Sequence, residues 1–182
     1  MKNILTNKRE FIKASLKLFG IFILQKLLLK FGLKNLSVKY LESMIRDIGL
    51  FDDEFYLKHS PDVAESSYSP MRHYLLFGES ENRFPCEDFD PRYYKSQKMA
   101  DFFSVNSLLH FHLIGFHIGL SPSPHFDTKY YLKENKDVKR RALNPLLHYL
   151  KFGRSEGRDP LYVDPSSFSS VNVEYLLSLI HI

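Results

Sequence analysis

Four of the eight histidines fall between residues 110 and 125, as His110-x-His112, His117 and His125. Imidazole is the commonest transition-metal ligand, and three such rings with a water would satisfy zinc. Two facts weigh against that chemistry. His110 stands in register with His73 and His148, so it reads as a repeated packing or hydrogen-bonding position. His112, His117 and His125 have no carboxylate or cysteine beside them at ligand spacing. Asp52-Asp53-Glu54 is acidic enough to hold a cation, but it opens a helix, where capping accounts for it. Cys86 is the one cysteine, and Glu87 and Asp88 follow it directly, which raises the thiol pKa and opposes thiolate formation. No glycine-rich phosphate loop follows a strand pattern, and no P-loop is present. No catalytic residue, metal site or cofactor is assigned. The phenylalanines and tyrosines could stack on sugars, with Tyr94 and Tyr131 as the positions to test, although helical spacing favours a place in the core.

The elements that position these residues are written three times. Phe51 to Pro85 reads FDDEFYLKHSPDVAESSYSPMRHYLLFGESENRFP, and Phe126 to Pro160 reads FDTKYYLKENKDVKRRALNPLLHYLKFGRSEGRDP. Between them, Phe89 to Pro122 is a worn copy, FDPRYYKSQKMADFFSVNSLLHFHLIGFHIGLSP. The starts lie 38 residues apart (51 to 89) and then 37 apart (89 to 126). A fixed period of this size marks a repeat architecture whose units cannot bury their apolar faces alone.

Each unit carries its own punctuation. Asp52, Asp90 and Asp127 precede an aromatic-rich helical turn and suit an N-cap. Ser69-Pro70 and Asn144-Pro145 pair a capping side chain with proline at the first helical position; the middle copy reads Asn106-Ser107. The helix then carries His73, His110 or His148 and reaches Gly78, Gly115 or Gly153 five residues later, where a left-handed cap is expected. The expectation is an all-α array of about three ~37-residue units, each of two main short helices with a turn between them. Repeat 1 covers 51–88, the degenerate repeat 2 covers 89–125 and repeat 3 covers 126–162. Residues 163–182 read as a partial fourth repeat or a C-terminal cap, because Val163-Asp164-Pro165 keeps the register.

The N-terminal part has a different character. Residues 1–50 hold ten Lys/Arg against three Asp/Glu, while the remainder holds fifteen against eighteen. Residues 1–34 lack the roughly 18 or more uninterrupted apolar residues of a spanning helix. They also lack the cleavage site of a signal peptide. They read as a basic amphipathic helix, suited either to an anionic membrane surface through Lys17, Lys26 and Lys30 or to packing on the repeats. Nucleic acid is not expected, since the interleaved residues are aliphatic. Residues 35–50 form a second helix that caps the array, with Ser37 as its N-cap and Gly49 as its C-cap.

The combined pattern FD-x-x-YYL…DV…NPL-x-HYL-x-FG-x-x-EGR-x-P, led in by Ile48-Gly49-Leu50, resembles repeats that accompany glycosyltransferase domains in large bacterial polysaccharide-synthesis proteins, the rhamnan-synthesis type among them. The resemblance covers about residues 48–160, and repeat 2 departs from it. It implies a bacterial cell-surface glycan system with a glycosyltransferase domain or subunit as partner. The single cysteine and the basic N-terminal helix lead to an expected place in the cytoplasm or peripheral on the inner face of the membrane. The resemblance does not supply catalysis, because the family's sugar-nucleotide-binding domain has no counterpart in this sequence. The alternatives are that the chain is the front of a glycosyltransferase, or that it binds carbohydrate itself.

Overall fold

The structure is a computed structural model that describes residues 2–97 and 105–162. The expected fourth repeat or cap at 163–182 therefore lies outside the described residues, as does the middle of repeat 2. The described residues are all-α, with one isolated bridge, Ser123 to Phe126, and no strand.

Helix α1 (Lys2–Lys30) leads into α2 (Lys34–Ile48), which Gly49 ends in the left-handed conformation at φ 70°. Ser37 does not cap α2: the helix starts three residues earlier, and the Ser37 N–H donates to the Leu33 carbonyl inside it. Repeat 1 contributes α3 (Asp53–His59), a 3₁₀ turn (Pro61–Glu65) and α4 (Pro70–His73). Repeat 2 contributes α5 (Pro91–Ser96) and α6 (Ser107–His110), and repeat 3 contributes α7 (Thr128–Glu134), α8 (Lys136–Arg140) and α9 (Pro145–His148). In every repeat the last helix widens into a π turn, at Tyr74–Gly78, Phe111–Gly115 and Tyr149–Gly153.

The helix starts follow from local chemistry. Asp52 accepts from the Phe55 N–H, Asp90 from Arg92 and Tyr93, and Asp127 from Lys129 and Tyr130, all within 2.8–3.1 Å. Ser69, Asn106 and Asn144 cap the third element in the same way. Such bonds satisfy N–H groups that the helix itself leaves unpaired.

Each repeat has the same small core. Phe89, Tyr94 and Phe111 pack with ring centroids 5.4–5.8 Å apart, and Phe126, Tyr131 and Tyr149 repeat this at 5.1–5.8 Å. Phe51, Tyr56 and Tyr74 form the corresponding triangle in repeat 1. Of the aromatic pair after each Asp, only the second ring (Tyr56, Tyr94, Tyr131) is fully buried.

The repeats do not stack as an open row in which only neighbours touch. Arg154 of repeat 3 donates to Glu87 and Asp88, in the connection between repeats 1 and 2, at 2.7 and 2.8 Å. The last helix of repeat 3 also shares a cleft with Gly49–Glu54, so the array curls back toward its first unit. Helix α2 lies against α4 and α6, and α1 lies on the π turn of repeat 2 with Leu18 and Ile21 buried.

Candidate functional site

The residues that recur in the sequence meet in space. In each repeat the buried Tyr hydroxyl bonds to a histidine Nδ1: Tyr56 to His73 at 3.0 Å, Tyr94 to His110 at 2.6 Å and Tyr131 to His148 at 2.9 Å. The glycine five residues after that histidine closes the arrangement. A Cβ on Gly78, Gly115 or Gly153 would overlap the same Tyr hydroxyl. In an α-helix, residues five apart point about 140° away from each other. The π turn, whose Glu79, Phe116 and Arg154 N–H groups reach back five residues, brings His and Gly onto one face.

These glycines are therefore not left-handed caps. The residues with positive φ come four positions later, at Asn82, Gly119 and Gly157 (φ 56°, 78° and 69°). Around each, the chain closes with paired bonds such as Arg83 N–H to the Gly78 carbonyl and Asn82 N–H to the Glu79 carbonyl, the Schellman arrangement. Glycine at 78, 115 and 153 serves close approach instead.

Burial sets the proton chemistry of this unit. It pushes the Tyr56 and Tyr131 hydroxyls up to about 12 and Tyr94 higher still, and it pulls His110 down to about 4. In repeat 2 burial thus favours the neutral form of both partners, and the Tyr94–His110 bond serves packing. The Cys86 thiol is buried, and desolvation followed by Asp88, Asp52 and Glu87 pushes its pKa well up, so it holds its proton. Repeats 1 and 3 add a second matched feature. Arg83 bonds Asp62 and Glu81, and Arg158 bonds Asp137 and Glu156, tying the closing turn to the middle one. Repeat 2 has Leu120 in the arginine's place.

The histidines of repeat 2 separate. His112 and His117 line a cleft beside α1, whereas His125 lines a different one with Phe55, Phe84 and Asp88. Among the described residues no group of three His, Cys, Asp or Glu could hold a metal ion. Asp88-Phe89-Asp90 is an Asp-x-Asp tripeptide, the kind that can hold a metal against a diphosphate. Its carboxylates are engaged: Asp90 caps α5, and Asp88, in the left-handed region at φ 62°, bonds Arg154.

Lys17, Lys26 and Lys30 are all exposed on α1. Leu16, Phe19, Ile23 and Leu27 lie on the helix face away from buried Leu18 and are 41–67% exposed. Apolar residues thus occupy two faces of α1, the inner one seated on repeat 2 and the outer one open. No helix among the described residues is long and apolar enough to cross a membrane.

Comparison with protein-family models, with curated proteins and with solved structures yields no match.

Proposed function

We propose that the chain is a non-catalytic helical repeat module that lies on an anionic membrane surface through α1 and docks or spaces a glycosyltransferase there. The observation that carries the membrane part is the outer face of α1. Leu16, Phe19, Ile23 and Leu27 form an exposed apolar line, and Lys17, Lys26 and Lys30 flank it. A helix of this kind seats its apolar side at the headgroup boundary while lysines reach anionic lipid. The setting in polysaccharide synthesis rests on the resemblance of the repeat motif. The Asp, His and Gly positions of that motif are absorbed by capping and packing, which supports a scaffolding role for the repeats.

Sedimentation with vesicles tests the membrane part. Phosphatidylglycerol vesicles should pull down the protein and neutral phosphatidylcholine vesicles should not, and added salt should release it. Each lysine near such a surface is worth about 1 kcal/mol, so Lys26→Glu with Lys30→Glu should weaken binding by well over tenfold. Leu16→Asp with Phe19→Asp should abolish it. Equal recovery of both variants and wild type would end this reading.

Glycan binding is a second reading, favoured by one observation. Tyr94 and Tyr131 are buried and cannot offer their faces to a sugar, but Phe84 is 44% exposed in a cleft of about 520 Å³ with Phe55, His59 and Asp88. Retention on an immobilised glycan that Phe84→Ala removes without unfolding the protein would support it. Retention that the variant leaves unchanged would remove it.

A further inference from the structure

The second cleft of about 520 Å³, beside α1, is lined by basic side chains from three separate parts of the chain. Lys13 and Lys17 come from α1, His112 and His117 from repeat 2, and Arg140 and Arg141 from the end of α8 in repeat 3. Among the described residues no aspartate or glutamate lines it. Elsewhere Arg83, Arg154 and Arg158 bond carboxylates. Among the described residues no carboxylate pairs with Lys17, Arg140 or Arg141. The wall behind the charges is apolar, made by Ala14, Leu113 and Phe116. Like charges gathered over a low-dielectric wall repel one another and focus a positive potential into the cleft.

The geometry of repeat 3 keeps the charges there. Helix α8 ends at Arg140 with Arg141 as its cap, and the next residue, Ala142, has a φ of 51°, in the left-handed region that a non-glycine residue seldom takes. Ala142 N–H donates to the Lys139 carbonyl and Leu143 N–H to the Val138 carbonyl, each at 3.2 Å. This sharp stop leaves Arg140 and Arg141 at the mouth of the cleft. Asn144, buried and holding the start of α9 through Leu147, lies 3.4 Å from His112 Nδ1 and fixes the floor. Burial, then Lys17, then His117 pull His112 down to about 4, so the imidazole is neutral and can donate one N–H without adding to the repulsion.

We propose that this cleft binds a phosphate-bearing anion, with a diphosphate as the best-matched form. Two arginine forks and the lysines offer charge-assisted donors to adjacent phosphate groups, and an arginine fork matches phosphate oxygens in pairs. The phosphate can belong to a lipid headgroup or to a soluble molecule. The proposal does not rest on the membrane reading: Lys17 is common to both, but Leu16, Phe19, Lys26 and Lys30 are not among the residues that line the cleft.

The test is a magnetic-resonance titration of the full chain with inorganic diphosphate, first without lipid. Saturable shifts at His112 and His117 are expected, and bound anion should raise the pH at which His112 titrates. Arg140→Gln with Arg141→Gln, both exposed positions, should leave the circular dichroism unchanged and weaken diphosphate by at least about tenfold through loss of charge-assisted bonds. Lys17→Gln should weaken it by a smaller factor. The absence of saturable binding at millimolar diphosphate, or equal binding by the arginine variant, would overturn the proposal. Vesicles of phosphatidic acid then separate the sources. Release of the protein from them by diphosphate assigns the site to a lipid headgroup, and diphosphate binding that leaves vesicle binding unchanged assigns it to a soluble phosphate. Failure of the vesicle arm with a positive lipid-free titration would remove the membrane reading and leave the cleft standing.

Discussion

Gly115→Ala should destabilise the protein by about 3 kcal/mol or more, although it adds one methyl group. The new Cβ would overlap the Tyr94 hydroxyl and would stand 3.1 Å from its Cζ and 3.3 Å from the Phe111 ring. Tyr94 cannot swing aside, because Phe89 and Phe111 hold its ring and His110 holds its hydroxyl. Overpacking of this kind costs about 1–3 kcal/mol, and freeing the buried His110 nitrogen adds about 1–3 more. Thermal or denaturant unfolding reads the loss. Gly115→Ala combined with Tyr94→Phe should recover part of it, since the overlapping oxygen is then gone. Gly20→Ala in α1 is the contrast: nothing lies within 4 Å of its Cβ, and alanine should stabilise that helix by up to about 1 kcal/mol. Equal effects at Gly115 and Gly20 would mean that the Tyr–His–Gly contact does not matter.

Stability should also fall as pH drops from 6.5, before ordinary carboxylates titrate. His110 is held down to about 4 by burial, and His112 to about 4 by burial, Lys17 and His117, against an ordinary 6.5. Between those values the unfolded chain binds more protons than the folded one, so acid favours unfolding. The contribution of the two rings is complete above pH 6.5, is lost as pH falls, and is gone near pH 4. The slope reaches up to about 1.4 kcal/mol per pH unit for each histidine. Melting temperatures measured between pH 7 and 5 should show it, and His110→Gln should remove about half of the slope. A flat profile over that range would show that neither ring is protected from protonation.

The parts of this fold that the sequence made legible are those decided within four residues. Asp52, Asp90, Asp127, Ser69, Asn106 and Asn144 cap helices because a short polar side chain before an apolar turn has one good use. Gly49 is a left-handed C-cap because a residue without a Cβ takes positive φ at little cost. Gly78, Gly115 and Gly153 show where local rules stop. Glycine at a helix end suggests a left-handed cap, yet the tyrosine hydroxyl that requires the missing Cβ comes from a helix about twenty residues earlier in the chain. The five-residue step from histidine to glycine was the available signal, since it fits a π turn and not an α-helix. The basic cleft was not legible, because Lys13, His112 and Arg140 are far apart in sequence and meet through tertiary packing. The separation of His125 from His112 and His117 has the same origin.

The Asp52 N–H donates to the Pro85 carbonyl, the Asp90 N–H to Pro122 and the Asp127 N–H to Pro160, at 2.9–3.0 Å. Each unit therefore begins and ends at one point and seals itself there with a backbone bond. A gene that duplicates one such unit inserts a segment whose two ends already meet, so the flanking chain needs no new path. Units that draw their cohesion from their own Phe–Tyr–His–Gly cluster can then drift one at a time. Repeat 2 differs from the other two in this way: Leu120 stands where they have the arginine, and α1 rests on its π turn. Modules of this family of shapes can lengthen or shorten in whole steps, and a worn copy is free to become an attachment point.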